Sequence, residues 1–444
     1  MPKLSPSIPL DKDFVENEVN NLHIKSLSTA SIREIVKLAH NIENKSGLRF
    51  IHMEMGVPGL PPNPIGVKAQ IKALKKGIAA KYPHIEGIPE LKEAIAKFAK
   101  LFMNLDISPE HCYPTVGSMQ GGFAAFMTLC RREANRKTLF IDPGFPVQKQ
   151  QHRVLGLKYE SFDIYDYRGE KLENKLKSYL ENADISTIVY SSPNNPSWIV
   201  FTEDELKIIG KLCQKYDVVA VEDFAYFAMD FRKDYSKPGH FHPSISKYTD
   251  NYLILLSSSK VFSYAGERIS AMIISPALAS RNFPELIKFF GTENLEHALI
   301  YGALYTLSSG TSHSAQYALS AMLESANKGE DFITPVKEYG RRAKKMKEIF
   351  LRNSFKLVYD NDAGEELADG FYFTLEYPGM NSEELLQELL RYGISAISLK
   401  ITGSQSNTGI RACVSMVDEK KIADLEKRIT LFSSLNKKTN NTRK

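Results

Sequence analysis

The sequence predicts an α/β fold: a large domain with a mostly parallel sheet flanked by helices, joined to a smaller α/β domain formed by both chain ends. Three observations carry that expectation. Strand-like and helix-like stretches alternate between residues 138 and 221, the pattern of helices packed on both faces of a parallel sheet whose ligands lie at the carboxyl ends of the strands. The residue types that do chemistry fall just after those strand-like stretches. The chain has 444 residues, 43% hydrophobic and 25% charged, enough for one large core and a smaller one. No internal repeat or low-complexity linker is evident, so the two domains are expected to interweave. Residues 1–60 give an arm and part of the small domain, 61–325 the large domain and 326–444 the remainder of the small one.

Composition narrows the function classes. The net charge of +5 is spread along the chain, apart from a basic tail at 437–444 that reads as disordered, so no nucleic-acid partner is implied. Cys112, Cys130, Cys213 and Cys413 are far apart and form no C-x-x-C pair, which favours reduced thiols and suggests no metal site. No apolar run reaches the ~18 residues of a membrane span and no apolar leader follows Met1. A cytoplasmic protein with no membrane partner is expected.

In chain order, residues 1–28 carry few periodic apolar positions and read as an arm. Ser31 is a candidate N-cap for a helix whose apolar positions are Ile32, Ile35, Val36, Leu38 and Ala39. A short strand is expected at 50–55, then a Gly-Pro-rich loop over 56–62 and an amphipathic helix over 92–102. An apolar helical segment follows Gly117 and ends near residue 131. The alternating region reads as strands at 138–141, 157–162, 187–190 and 218–221, with helices from 147, at 171–180 and at 203–215. After an apolar strand at 253–256 and another at 269–274 comes a long helical region through 294–323, then a helix over 337–351. The small domain completes itself with strands at 370–376, 394–397 and 410–416 and helices at 382–392 and 420–435.

The stretch from Ser257 to Arg268 is where the chemistry is placed. Lys260 follows a strand end; an amine held against apolar surroundings and a neighbouring cation such as Arg268 loses affinity for its proton and can form a Schiff base with an aldehyde. Hydroxyls at Ser257 and Ser259, with Arg268, could hold an anionic group beside it. Together they suit a phosphorylated aldehyde, pyridoxal 5'-phosphate. Gly117, Ser118 and Met119 open a helix whose free N–H groups and dipole make a second anion-binding feature. Asp223, at the end of the strand 218–221, is a carboxylate that could keep a pyridine nitrogen protonated, and a protonated ring stabilises a carbanion.

The run Ser257-Ser258-Ser259-Lys260 followed by Gly266 and Arg268 resembles the S-x-S-K…G-x-R signature of the class I/II aminotransferases, fold type I pyridoxal-phosphate enzymes. Tyr82, Gly87 and Leu91 resemble that family's Y-x-x-x-x-G-x-x-x-L entry, Pro143-Gly144-Phe145-Pro146 its P-x-Y-P turn, and Ser192-Pro193-Asn194-Asn195-Pro196 its N-P turn. Asp223 and Tyr226 match D-x-x-Y, Gly56 opens a segment like the family's glycine-proline loop, and Arg411 stands where the family places an arginine for the substrate carboxylate. These matches fall in family order along most of the chain, six of them from Tyr82 to Arg411. The family usually continues its N-P turn with Thr-Gly; here Ser197-Trp198 replaces that pair, which puts the loop path in doubt and points to a narrowed substrate pocket.

The resemblance implies an aminotransferase moving the amino group of an amino acid to a 2-oxo acid by a ping-pong route in a homodimer with shared active sites. Residues 61–325 would then hold the cofactor. Lys260, Asp223 and Tyr226 would be catalytic. Gly117, Ser118, Met119, Phe145, Asn195, Ser257, Ser259, Arg268 and a partner's Tyr82 would complete the cofactor site, and Gly56, Asn195 and Arg411 would contact substrate. No metal is implied. Taken singly, each has an ordinary alternative: a packing tyrosine at 82, a core phenylalanine at 145, a helix-capping aspartate at 223, a surface arginine at 411. Two other functions share the motifs, a β-lyase acting on β-substituted amino acids and a pyridoxal-phosphate-binding regulator, the latter disfavoured by an N-terminal extension of roughly thirty residues, shorter than the ~50 of a typical domain. The absence of arginine between Arg281 and Arg341 disfavours a dicarboxylic donor.

Overall fold

The computed structural model describes residues 8–134, 136–182 and 184–441. By contact the chain divides into two compact units, one of residues 60–194 and 199–336, the other of residues 1–59, 195–198 and 337–444.

The larger unit is built on a seven-stranded sheet with the order Cys112–Thr115, Ser270–Ile274, Tyr252–Ser257, Val219–Phe224, Ile185–Ser191, Lys137–Asp142, Tyr159–Asp163. The last five run parallel, and Ser270–Ile274 is antiparallel to both of its neighbours. Strands covered on both faces read as continuous apolar runs, and all six residues of Tyr252–Ser257 and of Val219–Phe224 are buried. On one face Leu253, Leu255, Val219 and Val221 pack with Ala124, Ala125 and Phe126 of the helix Gly117–Leu129 and with Leu299, Ile300 and Ala303 of a π-helical stretch, Ala298–Leu304.

The smaller unit combines helix Ile32–Ser46, strand Ile51–His52, and the C-terminal elements Lys337–Arg352, Tyr372–Glu376, Ser382–Arg391, Ile410–Cys413 and Glu419–Asn441. Ser31 is the N-cap expected, in a full capping box with Glu34. Strand Ile410–Cys413 is the hydrogen-bonded neighbour of Tyr372–Glu376, antiparallel, with Arg411 opposite Thr374. The short segment 195–198 belongs to this unit because Asn195 bonds Arg411 and Trp198, 1% exposed, packs against Gly370 and Tyr372.

Several expectations are corrected. The region read as an arm contains the helix Lys12–Asn21, with Asp11 as N-cap and Val15 fully buried; its sparse apolar residues hid it. Among the elements with no counterpart in the reading are the helix Pro64–Lys75 and the strand Cys112–Thr115. The helical region through 294–323 is broken by Ser309 and Gly310, both at positive φ, before His313–Asn327 begins. The strand expected at 394–397 is two short ones in different sheets, Ile394–Ser395 beside Ile51–His52 and Ile397–Ser398 beside Ile410–Cys413. The helix Glu419–Asn441 continues through 437–441, where disorder was expected; residues 442–444 lie outside the described residues.

The Trp198 contact gives a direct test of packing. A Cβ added at Gly370 would stand 1.9–2.2 Å from three atoms of the Trp198 ring, and a ring this buried has nowhere to go. Gly370→Ala is therefore expected to destabilise the protein by about 1–3 kcal/mol, measured by urea unfolding, and by clearly less in a Trp198→Leu background. An equal cost in both backgrounds would contradict the contact.

Candidate functional site

The sheet register decides which side chains share an edge. Ser191 lies level with Asp223, Phe224 with Leu256, and Ser257 with Ser270. Because Ser270–Ile274 runs the opposite way, Arg268 just before it reaches the edge at which Tyr252–Ser257 ends. Thr115 is level with Ser270, so Gly117 and Ser118 arrive there too. The strand Lys137–Asp142 lies between Tyr159–Asp163 and Ile185–Ser191, so the chain leaves it in opposite directions, and that reversal is where open α/β sheets bind ligands. Phe145 follows this strand as the half-buried N-cap of helix Pro146–Leu155. Across the same point Asn194 Nδ2 donates to the Pro143 backbone oxygen at 2.8 Å.

Lys260 occupies the turn after Tyr252–Ser257, half-buried, with its backbone oxygen accepting from Ser263 N at 3.2 Å. Ser257 is buried and its Oγ accepts from Ser259 N at 3.2 Å, which folds the two hydroxyl-bearing residues into one turn.

The anion-binding feature has a specific steric basis. Gly117, at φ +65°, begins helix Gly117–Leu129, and a Cβ there would lie 2.2 Å from Arg268 Nη2. Only glycine lets the guanidinium stand over the helix start. Val116 gives that helix no side-chain cap, and Arg268, whose Nη1 donates to the Ala265 backbone oxygen at 2.9 Å, adds its charge to the dipole's positive end, a combination that suits an anion. Ser118 Oγ is 3.5 Å from Ser270 Oγ, and Met119, 37% exposed, offers its backbone oxygen to Gln151 Nε2 at 2.9 Å.

Asp223 is buried at the end of the strand Val219–Phe224. Its Oδ2 accepts from Gln148 Nε2 at 2.9 Å, while Oδ1 has no hydrogen-bond partner. Burial pushes the carboxyl up to about 7, against the opposing Ala225 backbone N–H and the Gln148 amide. A buried oxygen without a donor is costly, and a cationic N–H is the partner that would remove that cost. Tyr226, three residues on, is also buried.

The smaller unit holds a second group. Arg411 is 1% exposed; Nη1 donates to Asn195 Oδ1 at 3.1 Å, Nη2 donates to the Glu54 backbone oxygen, and Nε has no partner. Both acceptors are neutral, and among the described residues no carboxylate pairs with it. The Tyr372 ring lies under the guanidinium, 4.5 Å from its carbon to the ring centroid. Gly56 leaves room for that tyrosine, because a Cβ there would fall 1.8 Å from the Tyr372 hydroxyl. A buried cation with neutral partners and a spare donor is arranged for an incoming carboxylate. Trp198 takes φ +63° at the position of the family's glycine and lies edge-on to Tyr372, ring centroids 6.2 Å apart.

Thus Gly117, Ser118, Met119, Phe145, Asp223, Tyr226, Ser257, Ser259, Lys260 and Arg268 belong to the larger unit, and Gly56, Asn195 and Arg411 to the smaller. Tyr82 is 91% exposed, on the loop before helix Pro89–Met103. Gln148, Tyr372 and Glu54 were missed. Tyr372 could have been found by pairing the two expected strands 370–376 and 410–416, since it is the diagonal neighbour of Arg411; nothing local marks Gln148.

Asp223 makes a pH prediction for protein freed of small molecules. Its folded pKa is raised from its usual 3.8 to about 7, so between those values the folded state binds the proton more tightly than the unfolded one. Its contribution is fully present below pH ~4 and is lost as pH rises towards 7, at a rate of at most ~1.4 kcal/mol per unit. Wild-type stability minus that of Asp223→Asn, from urea unfolding, should fall between pH 4 and 7 and level off above; a flat difference would contradict the assignment.

A family model described as aminotransferase class I and II matches residues 55–429. The aspartate aminotransferase of Pyrococcus horikoshii is 25% identical over 269 residues, 59% of this chain and 63% of that protein. Human kynurenine–oxoglutarate transaminase 1 is 26% identical over 251 residues, 53% and 56% of the two chains. The chain thus spans less than two thirds of the length of these curated relatives. A single mutant of the Thermus thermophilus aspartate aminotransferase superimposes with a TM-score of 0.73 at 18% identity, over 97% of this chain and all of that one, which shows the fold. With the family match extending across most of the sequence and both units built as described, the chain belongs to the class I and II aminotransferase family.

Proposed function

We propose that the protein is a pyridoxal-phosphate-dependent aminotransferase that moves the amino group of an amino acid to a 2-oxo acid by a ping-pong route. The observation that carries this reading is the buried Asp223 carboxylate with one oxygen lacking a donor, on the sheet edge that also carries Lys260 and the Gly117–Arg268 anion site. The residues present fit the cofactor at both ends. Asp223 Oδ1 offers an acceptor for a protonated ring nitrogen, and the uncapped helix start with Arg268, Ser118, Ser257 and Ser259 offers donors and positive charge for a phosphate.

When bound, pyridoxal phosphate supplies an electron sink for the pair left behind when an α-proton departs. The chain's own residues do the rest. Asp223 keeps the ring nitrogen's proton in place. Lys260 would hold the aldehyde and, as a free amine, would take the proton from the substrate α-carbon as a base and return it as an acid. Phe145 supplies an aromatic face for the ring, and Tyr226 and the Asn195 amide supply donors for its phenolic oxygen. Arg411, held by Glu54 and Asn195 with Tyr372 beneath, receives the substrate carboxylate, and Gly56 keeps the space that this tyrosine needs. Tyr82, exposed in a single chain, is assigned to the phosphate of a partner subunit in a homodimer.

The test is a pair of half-reactions. Protein mixed with each of a panel of amino acids should yield about one equivalent of 2-oxo acid per site, and sustained turnover should require a second 2-oxo acid, with parallel double-reciprocal plots. Lys260→Ala should lower turnover by about 10²–10⁴-fold, and Arg411→Lys should raise KM for the amino acid more than it lowers kcat, because a point charge replaces a fork. Sustained release of pyruvate and ammonia from a β-substituted amino acid, with no need of a 2-oxo acid, would instead establish a β-lyase.

A further inference from the structure

Outside the site described above, one cluster in the smaller unit has the form of a metal centre. His40 and Glu43 lie three residues apart on helix Ile32–Ser46, hence on one face, and strand Ile51–His52 brings His52 beside them. A ring nitrogen of each histidine and a carboxylate oxygen of Glu43 lie within 4.8 Å of one another.

The hydrogen bonds around the cluster orient it. His40 Nδ1 is 2.9 Å from the Val36 backbone oxygen, an atom that only accepts, so Nδ1 carries the proton and the neutral ring presents its lone pair at Nε2. His52 Nδ1 is 2.9 Å from Glu54 Oε1, and Glu54, buried, accepts from Ser395 Oγ at 2.6 Å through its other oxygen. A carboxylate fixed behind a histidine in this way sets ring tautomer and direction at metal sites. Glu43 Oε1 accepts from Phe50 N at 3.0 Å, while its Oε2 lies 3.6 Å from His52 Nε2. That separation is long for a hydrogen bond. It is close to the roughly 3.3–3.4 Å between two ligands each about 2.0–2.1 Å from one tetrahedral ion.

We propose that His40, Glu43 and His52 bind one divalent transition-metal ion. Two imidazoles and one carboxylate favour the borderline ions Zn(II), Co(II) and Ni(II) over Mg(II) or Ca(II), which prefer oxygen. His40 is exposed, so the ion enters from solvent and water completes its coordination. No cysteine spacing marks such a site; it forms only because the strand at 51–52 pairs with Ile394–Ser395 and sets His52 against the helix.

The ordinary alternative is an ion pair of protonated His52 with Glu43 and Glu54, with the His40 ring stacked on that of His52, centroids 5.1 Å apart. Full-length protein, purified and treated with chelator, is titrated with Co(II) and Zn(II) by calorimetry and followed by the Co(II) visible spectrum. Wild type should bind one equivalent without thiolate charge-transfer bands. His40→Ala, at an exposed position, and the near-isosteric Glu43→Gln should each weaken binding by about tenfold or more with unchanged thermal unfolding of the metal-free protein. No saturable binding by wild type, thiolate bands, or unchanged affinity in both variants would overturn the proposal. A variant that fails to fold is replaced as evidence by the other.

Discussion

The parallel register of three central strands is the constraint on which the larger unit depends. Once Ser191 is level with Asp223 and Phe224 with Leu256, the ends of these strands must deliver the 192–194 loop, the Asp223 carboxylate and the Lys260 turn to one edge. A slip of one residue would turn every side chain to the opposite face, exchanging Asp223 for Glu222 or Phe224. Burial on both faces holds that register, since Val219, Val221, Leu253 and Leu255 on one side alternate with Ala220, Ile254 and Leu256, all buried. The cost of that enclosure is an aspartate with a raised pKa and an unmet acceptor. The proposed chemistry uses both: what destabilises the empty protein is what holds a protonated ring.

Charge is handled in the opposite sense in the smaller unit. Arg411 is buried without a carboxylate, its donors going to an amide oxygen and a backbone oxygen and its flat face to Tyr372. These contacts fix the fork's direction without neutralising it. Trp198, in a left-handed conformation at φ +63°, ties the segment carrying Asn195 to Gly370 and Tyr372, so the expected departure from the family pattern acts as packing around the arginine's own neighbours.

Much of this was legible in the sequence, for physical reasons that also explain the gaps. The alternation after residue 138 works because fully buried parallel strands leave continuous apolar runs, and the helices at 171–180 and 203–215 were placed at their observed bounds. The strand Cys112–Thr115 has four residues and a proline, too little pattern to register. Helix Lys12–Asn21 buries only Val15 and Glu18, so it carries almost no periodic signal. Among the candidate side chains, those within short motifs were named from the sequence, and those that act across elements were not. Gln148 reaches Asp223 over 75 positions and Glu54 reaches Arg411 over 357; such partners exist only in the folded chain.

Lys260 is proposed as the residue that carries the cofactor, and chemical trapping tests that role. Purified protein loaded with pyridoxal phosphate is reduced with borohydride, digested, and its peptides sequenced by mass spectrometry. A single pyridoxyl phosphate adduct is expected on Lys260, absent from the Lys260→Ala variant. An adduct on another lysine of the wild-type protein, or none, would contradict it.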